Sequence, residues 1–153
     1  MAEPIRQAYG DGKREGIVAD WVDKNFNWQC YPTPKYYFVD FLVNQRKDNG
    51  YANFIGSLEV KWLNRPMNAE VKFPFQKLQK MWLTEPIDDD PQAFNRILIR
   101  YTDGILLAPA GAFRAAKPAW GLTRADTNEF DFNINFIGSV HLPEYIIHEV
   151  IND

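Results

Sequence analysis

The chain has 153 residues, 46% of them hydrophobic and 15% aromatic, which is enough apolar mass for a folded core and argues against disorder. No apolar run approaches the ~18 residues that span a bilayer, and the lone Cys30 excludes an internal disulfide. Seventeen Lys and Arg against 20 Asp and Glu leave a net charge of −3, without the basic excess usual for a DNA-binding surface. The expectation is one domain over residues 1–153. Met1-Ala2-Glu3-Pro4 lacks the regions of a signal peptide, so a cytoplasmic location with no membrane contact is expected too.

Along the chain, Ile17, Val18, Trp21 and Val22 form a helical stripe that predicts a helix from Asp11, its cap, to about Lys24. Glu15 lies at the edge of that stripe. A short strand, Trp28 to Tyr31, stops at Pro32 and Pro34. Lys35 to Val43 and Phe54 to Trp62 then read as the two strands of a hairpin, because Asn49-Gly50 is a strong two-residue turn signal. With that loop, paired residues sum to 99 and Asp40 faces Glu59. Lys61, two residues on, shares the face of Glu59. Tyr37, Val39, Phe41, Val43, Leu58, Val60 and Trp62 make the other face, which is wholly apolar and requires a packing partner. A longer loop would shift the partner of Asp40.

Phe75 to Leu83 predicts a second amphipathic helix that buries Phe75, Leu78, Met81 and Trp82 and leaves Gln76, Lys77 and Lys80 on its other side. Asp88, Asp89 and Asp90 read as a solvated loop. Arg96 to Tyr101 and Ile105 to Ala108 are strands around Asp103-Gly104. Residues 115–128 read as loop, 130–136 as a strand by strict alternation, and 144–150 as a short terminal helix. The fold class is therefore α/β, a central mixed sheet flanked by helices, in the order αβββαβ with extra C-terminal strands.

Two carboxylates and an ammonium at one place on an otherwise apolar hairpin have a specific chemical use. Mg²⁺ and Mn²⁺ take oxygen ligands, which Asp40, Glu59 and the carbonyl of Val60 supply. Lys61 would orient a water or stabilise charge on a phosphate. The bland alternative is a solvated strand face with a cross-strand ion pair, worth roughly 0.2–1 kcal/mol. Two like charges directly opposed argue against it unless something binds them. Glu15 equally suits a first-turn dipole partner, and Gln76, Lys77 and Lys80 a solvated helix face. His141 and His148 are isolated. Trp21, Trp62 and Trp82 fit core stripes, whereas Trp28 and Trp120 could stack on bases or sugars. Arg96, Arg100, Lys117 and Arg124 are the candidates for a basic patch.

Asp40 followed by Glu59-Val60-Lys61, on strands between two helices, resembles the D…(D/E)-x-K signature of the PD-(D/E)xK nuclease superfamily. Val39 stands where a proline usually precedes the aspartate, a position that varies in that superfamily. The resemblance implies a restriction-endonuclease-like core over about 11–108 with a C-terminal extension over 109–153. It implies that Asp40 and Glu59 hold Mg²⁺ or Mn²⁺ and that Lys61 assists the attacking water. It matches Glu15 to a first-helix glutamate, and Gln76 or Lys77 to a helper on the second helix. The implied substrate is the phosphodiester of DNA, branched DNA included, cut by a small phage or resolvase-like enzyme in a host cytoplasm, with a homodimer among the implied assemblies. The alternative is a non-catalytic protein of the same fold that binds nucleic acid or a host protein. A third reading is a carbohydrate-binding module using exposed tryptophans.

Overall fold

A computed structural model describes residues 11–34, 37–50, 52–68, 70–86, 91–115, 117–124, 129–137 and 142–153, with the backbone alone for Asp11, Glu70 and the described residues of 115–137. Helix α1 (Asp11–Phe26) is followed by strands β1 (Trp28–Pro32), β2 (Phe41–Arg46), β3 (Ala52–Trp62) and β4 (Glu70–Pro74). Helix α2 (Phe75–Leu83) follows β4 directly and leads to β5 (Arg96–Tyr101) and β6 (Gly104–Pro109). Strands β7 (Lys117–Arg124), β8 (Glu129–Ile137) and β9 (Ile146–Ile147) complete the chain. Six strands form one mixed sheet in the order β1-β2-β3-β5-β6-β9. Only the β3–β5 pair in it is parallel. A parallel pair needs a crossover, and β4 with α2 supplies it.

The two helices cover opposite faces of this sheet. In β5, Leu98 packs with Val18 and Val22 of α1, while its neighbours Ile97 and Ile99 pack with Leu78 and Met81 of α2. Alternation along a fully buried strand makes this possible, and every residue of β5 is buried. The apolar stripes read from sequence are the ones used. Val18 and Val22 are fully buried, Phe41, Val43 and Leu58 lie under them, and Val60 and Trp62 are partly buried against the same cluster. Asn27, at φ 55°, ends α1 in the left-handed region that asparagine tolerates.

Four expectations change. Lys35 and Tyr36 lie outside the described residues, and Tyr37 to Asp40 is a bend and not strand. Val39 therefore leaves the alternation and packs in the α2-side core with Leu63, Met67 and Phe73. Residues 117–124, expected as loop, form β7, which pairs with the correctly expected β8. With β4, unforeseen because it is only five residues long, they make a second sheet in the order β4-β8-β7. The terminal helix is absent: Pro143–Tyr145 is a single 3₁₀ turn, and Ile146–Ile147 adds a short strand to β6. Pro143 within an apolar tail suits an edge pairing better than a helix.

The central hairpin reaches the expected register by an unexpected route. Arg46 pairs with Ala52, so five residues lie between the strands, and Asn44, Gln45 and Arg46 pair at sums of 98. Gly50 has φ +84° and its N–H bonds to the Lys47 carbonyl. A bulge at Ile55 then inserts one residue, and Val43–Gly56, Leu42–Ser57 and Phe41–Leu58 pair at sums of 99. The longer loop and the bulge cancel. Gly56 is required there, since its φ is +121° and an added Cβ would lie 2.4 Å from the Phe94 carbonyl oxygen. Gly56→Ala is expected to lower stability by roughly 2–4 kcal/mol, read as a lower urea midpoint. An unchanged midpoint would show that the bulge adapts.

Candidate functional site

Strand β2 starts at Phe41, so β3 runs past it, and Val60 and its neighbours lose their ladder partners on that edge. The Asp40 side chain fills the gap: its Oδ2 accepts the Val60 N–H at 2.8 Å. In an extended strand one residue's N–H and C=O point to the same edge, so the Val60 carbonyl also faces Asp40. The bend that delivers Asp40 is held from the residue after β1, where the Thr33 N–H bonds to the Asp40 carbonyl at 3.0 Å and the Thr33 hydroxyl donates to the Val39 carbonyl.

Glu59 is 6% exposed and Asp40 7%, an unusual depth for two carboxylates. Glu59 Oε2 accepts a hydrogen bond from Lys77 Nζ on α2. Burial is the main reason that the Glu59 carboxyl is pushed up from 4.5 to about 8, and the charge of Asp40 and a side-chain hydrogen bond with Asp40 add to it. The Lys77 ammonium opposes these without cancelling them. Its own side chain is 31% exposed, so water screens part of its attraction.

Lys61 lies on the same face of β3, half-buried, with Nζ donating to the Lys72 carbonyl of β4 at 2.5 Å and 5.8 Å from the Phe73 ring centre. Burial lowers its affinity for a proton, from 10.5 to about 8, against the attraction of Glu59. The ion pair on this face is thus Lys77–Glu59, with Lys61 beside it. Gln76 is exposed on α2, one residue before Lys77. Glu15 is half-buried on α1, which packs on the other face of the sheet.

Other side chains marked in the sequence serve the core. Trp28 is 7% exposed, stacks on Phe26 and donates to Gln45, so it is closed to bases or sugars. Arg96 and Arg100 are buried and give no surface patch. Arg100 bonds to the Ile151 and Leu63 carbonyls and lies over Trp62. Arg96 bonds to the carbonyls of Ile55, Phe94 and Gln92 and lies over Phe94 and Trp28. The side chains of Lys117, Trp120 and Arg124, and His141 altogether, lie outside the described residues.

Sequence reasoning passed over Asn95. Buried between β3 and the end of α2, it accepts from the N–H and hydroxyl of Ser57 and donates to the Met81 carbonyl. Its backbone N–H bonds to Glu85 Oε2. Asn95 locks α2, and with it Lys77, onto β3. A single asparagine in a loop carries no pattern that would single it out.

The donors fit a hard cation: two buried carboxyl groups beside one another and a carbonyl on the same edge. Among the described residues, no three His, Cys, Asp or Glu side chains cluster closely enough to hold a metal by themselves. Solvent or substrate oxygens would have to complete the coordination. No helix among the described residues is long and apolar enough to cross a membrane. No protein-family model, curated protein or solved structure matches this chain.

Proposed function

We propose that this protein is a metal-dependent nuclease of PD-(D/E)xK type with a restriction-endonuclease-like core, hydrolysing DNA phosphodiesters at Asp40, Glu59 and Lys61. The observation that carries the reading is the buried Asp40–Glu59 pair, in which burial and the neighbouring Asp40 push the Glu59 carboxyl up to about 8. Two buried carboxyls this close keep a proton on Glu59 below about pH 8, and a cation that displaced it would find both groups already gathered at one place. The helix before β1 and the helix in the crossover between β3 and β5 support the reading, although β4 stands before the second helix where the expected order αβββαβ has no strand.

Asp40, Glu59 and the Val60 carbonyl would hold Mg²⁺ or Mn²⁺, which when bound supplies positive charge to phosphate oxygens and acidifies a coordinated water. Lys61, with its proton affinity lowered to about 8, sits where it can hold and pass a proton near neutral pH. Lys77 holds Glu59 Oε2 in place from α2. Glu15 and Gln76 carry no step in this reading.

The test is cleavage of plasmid and branched DNA with Mg²⁺ or Mn²⁺. Lys61→Ala is expected to lower the rate by about 10²–10⁴-fold with the fold retained by circular dichroism. Robust cleavage by that variant would sink the role given to Lys61. A second reading rests on the Lys77–Glu59 hydrogen bond: Lys77 already occupies one oxygen of Glu59, as suits a non-catalytic protein of the same fold. It expects no metal-dependent cleavage, and binding of nucleic acid or a host protein that survives Asp40→Ala.

A further inference from the structure

Tyr31, Leu42 and Phe54 lie inside strands, yet they are 44%, 37% and 50% exposed. The register brings them together. Tyr31 is directly opposite Leu42, and Phe54 is opposite Asn44, two residues further along β2. Opposed residues share a face, and side chains alternate along a strand. Tyr31, Leu42, Asn44 and Phe54, with Gln29 opposite Asn44, therefore form one surface. The bulge at Ile55 keeps Phe54 on it, because Ile55 turns with Val43 into the α1-side core.

This is the face that carries Glu59. Leu42 is opposite Ser57, and Ser57 precedes Glu59 by two residues, a rise of roughly 7 Å. Helix α2 covers the face over β5 and β6, where Ile97, Ile99, Leu106 and Ala108 are buried. Over β1 and β2 these side chains remain exposed.

We infer that this surface is a stacking platform for the unpaired bases of a nucleic-acid strand whose phosphodiester lies at Asp40 and Glu59. The inference rests on the nuclease reading for where that strand leads. Its chemistry is local. Two aromatic rings and a leucine offer flat apolar contact to any base, and the Gln29 and Asn44 amides can bond to base edges. The charge also fits. The chain has 20 Asp and Glu, yet β1, β2 and β3 as far as Ser57 contain none. The one charged residue of those stretches is Arg46, exposed at the far end, with Lys47 and Asp48 in the loop beyond it. These stretches of strand add no carboxylate of their own to oppose a polyanion.

The test is fluorescence anisotropy of labelled oligothymidylate and of a blunt duplex, in EDTA, with the full chain and with a Tyr31→Ala/Phe54→Ala double variant. Both side chains are about half exposed, so the variant should fold, which circular dichroism checks. Single-strand binding is expected to weaken by about tenfold to a hundredfold, with duplex binding changed much less. Equal single-strand binding by the variant overturns the platform, as does a wild-type protein that binds no single strand. A change from dimer to monomer in the variant also overturns it, since a second copy would then be the occupant. Glu59-dependent cleavage of duplex is measured in parallel: if it persists when the platform fails, the nuclease reading stands alone. If single strands stack but nothing is cut, the platform stands and the nuclease reading falls.

Discussion

Glu59→Gln is expected to make the protein more stable at pH 8 while abolishing its binding of divalent cations. The Glu59 carboxyl is pushed up to about 8 by burial and by Asp40. An acid raised in this way keeps its proton in the folded state and loses it in the unfolded chain. Between about 4.5 and 8 folding therefore takes up a proton, and stability falls as pH rises. The loss by pH 8 is on the order of a few kcal/mol. Glutamine has the same shape without the charge, so the variant escapes that loss, and Lys77, already partly exposed, can turn to water.

Lys61 contributes with the opposite sign. Its lowered pKa makes the folded state give up a proton first, so its share of stability rises between about 8 and 10.5. Urea unfolding of both proteins from pH 5 to 9 reads the difference: a falling wild-type curve and a flatter variant. Mn²⁺ should raise the wild-type midpoint more at pH 8 than at pH 6, because it binds the ionised carboxylates, and should leave the variant unmoved. A variant less stable than wild type at every pH would show that the Lys77 pair outweighs burial and Asp40 together.

Arg96→Met is expected to lower stability by about 2–4 kcal/mol, because three carbonyls lose a charged donor in a buried place. Its second effect reaches the site. Arg96 and the Phe94 N–H both bond to the Ile55 carbonyl at the bulge, and the Phe94 carbonyl that Arg96 holds lies against Gly56. That bulge restores the register that brings Asp40 to Val60. Loosening it should free the Val60 N–H from Asp40, read as faster hydrogen exchange of the Val60 amide. It should also let the Glu59 carboxyl titrate closer to its ordinary range as Asp40 withdraws. Wild-type protection of the Val60 amide in Arg96→Met would break the proposed link between the bulge and the site.

The legible parts of the chain share one property: they are patterned against water. The stripe Ile17, Val18, Trp21, Val22 and the stripe Leu78, Met81 have the helical period, and both helices formed. β3, β5, β6 and β8 were visible in their apolar runs or strict alternation. Glu59 and Lys61 were legible as polar interruptions of such a strand. Short or weakly patterned segments were not. β4 is five residues, β7 mixes Gly, Pro and polar residues, and β9 is two residues; each forms because a neighbouring strand offers ladder partners.

Local composition also misplaced some chemistry. Arg96 and Arg100 read as surface cations, yet carbonyls and aromatic faces take them into the core. Tyr31 and Phe54 read only as strand residues, and their exposure was not legible because burial depends on what packs above them. Which α2 side chain reaches Glu59 was equally open, since Gln76 and Lys77 differ by one step around the helix and only its seating on the sheet chooses Lys77.

By itself the sequence determined the two helices, the strands of the mixed sheet's centre, and the placing of Glu59 and Lys61 on one face, because periodicity against solvent is a local property. The tertiary structure alone decided that Asp40 meets Val60 beside Glu59. That meeting depends on a five-residue loop offset by a bulge, on Gly56 accepting φ +121°, and on Arg96 holding the bulge. The loop is local, but the approach of Gly56 to Phe94 and the Arg96 bond to the Ile55 carbonyl join residues far apart in the chain, and their energy exists only once the sheet has formed.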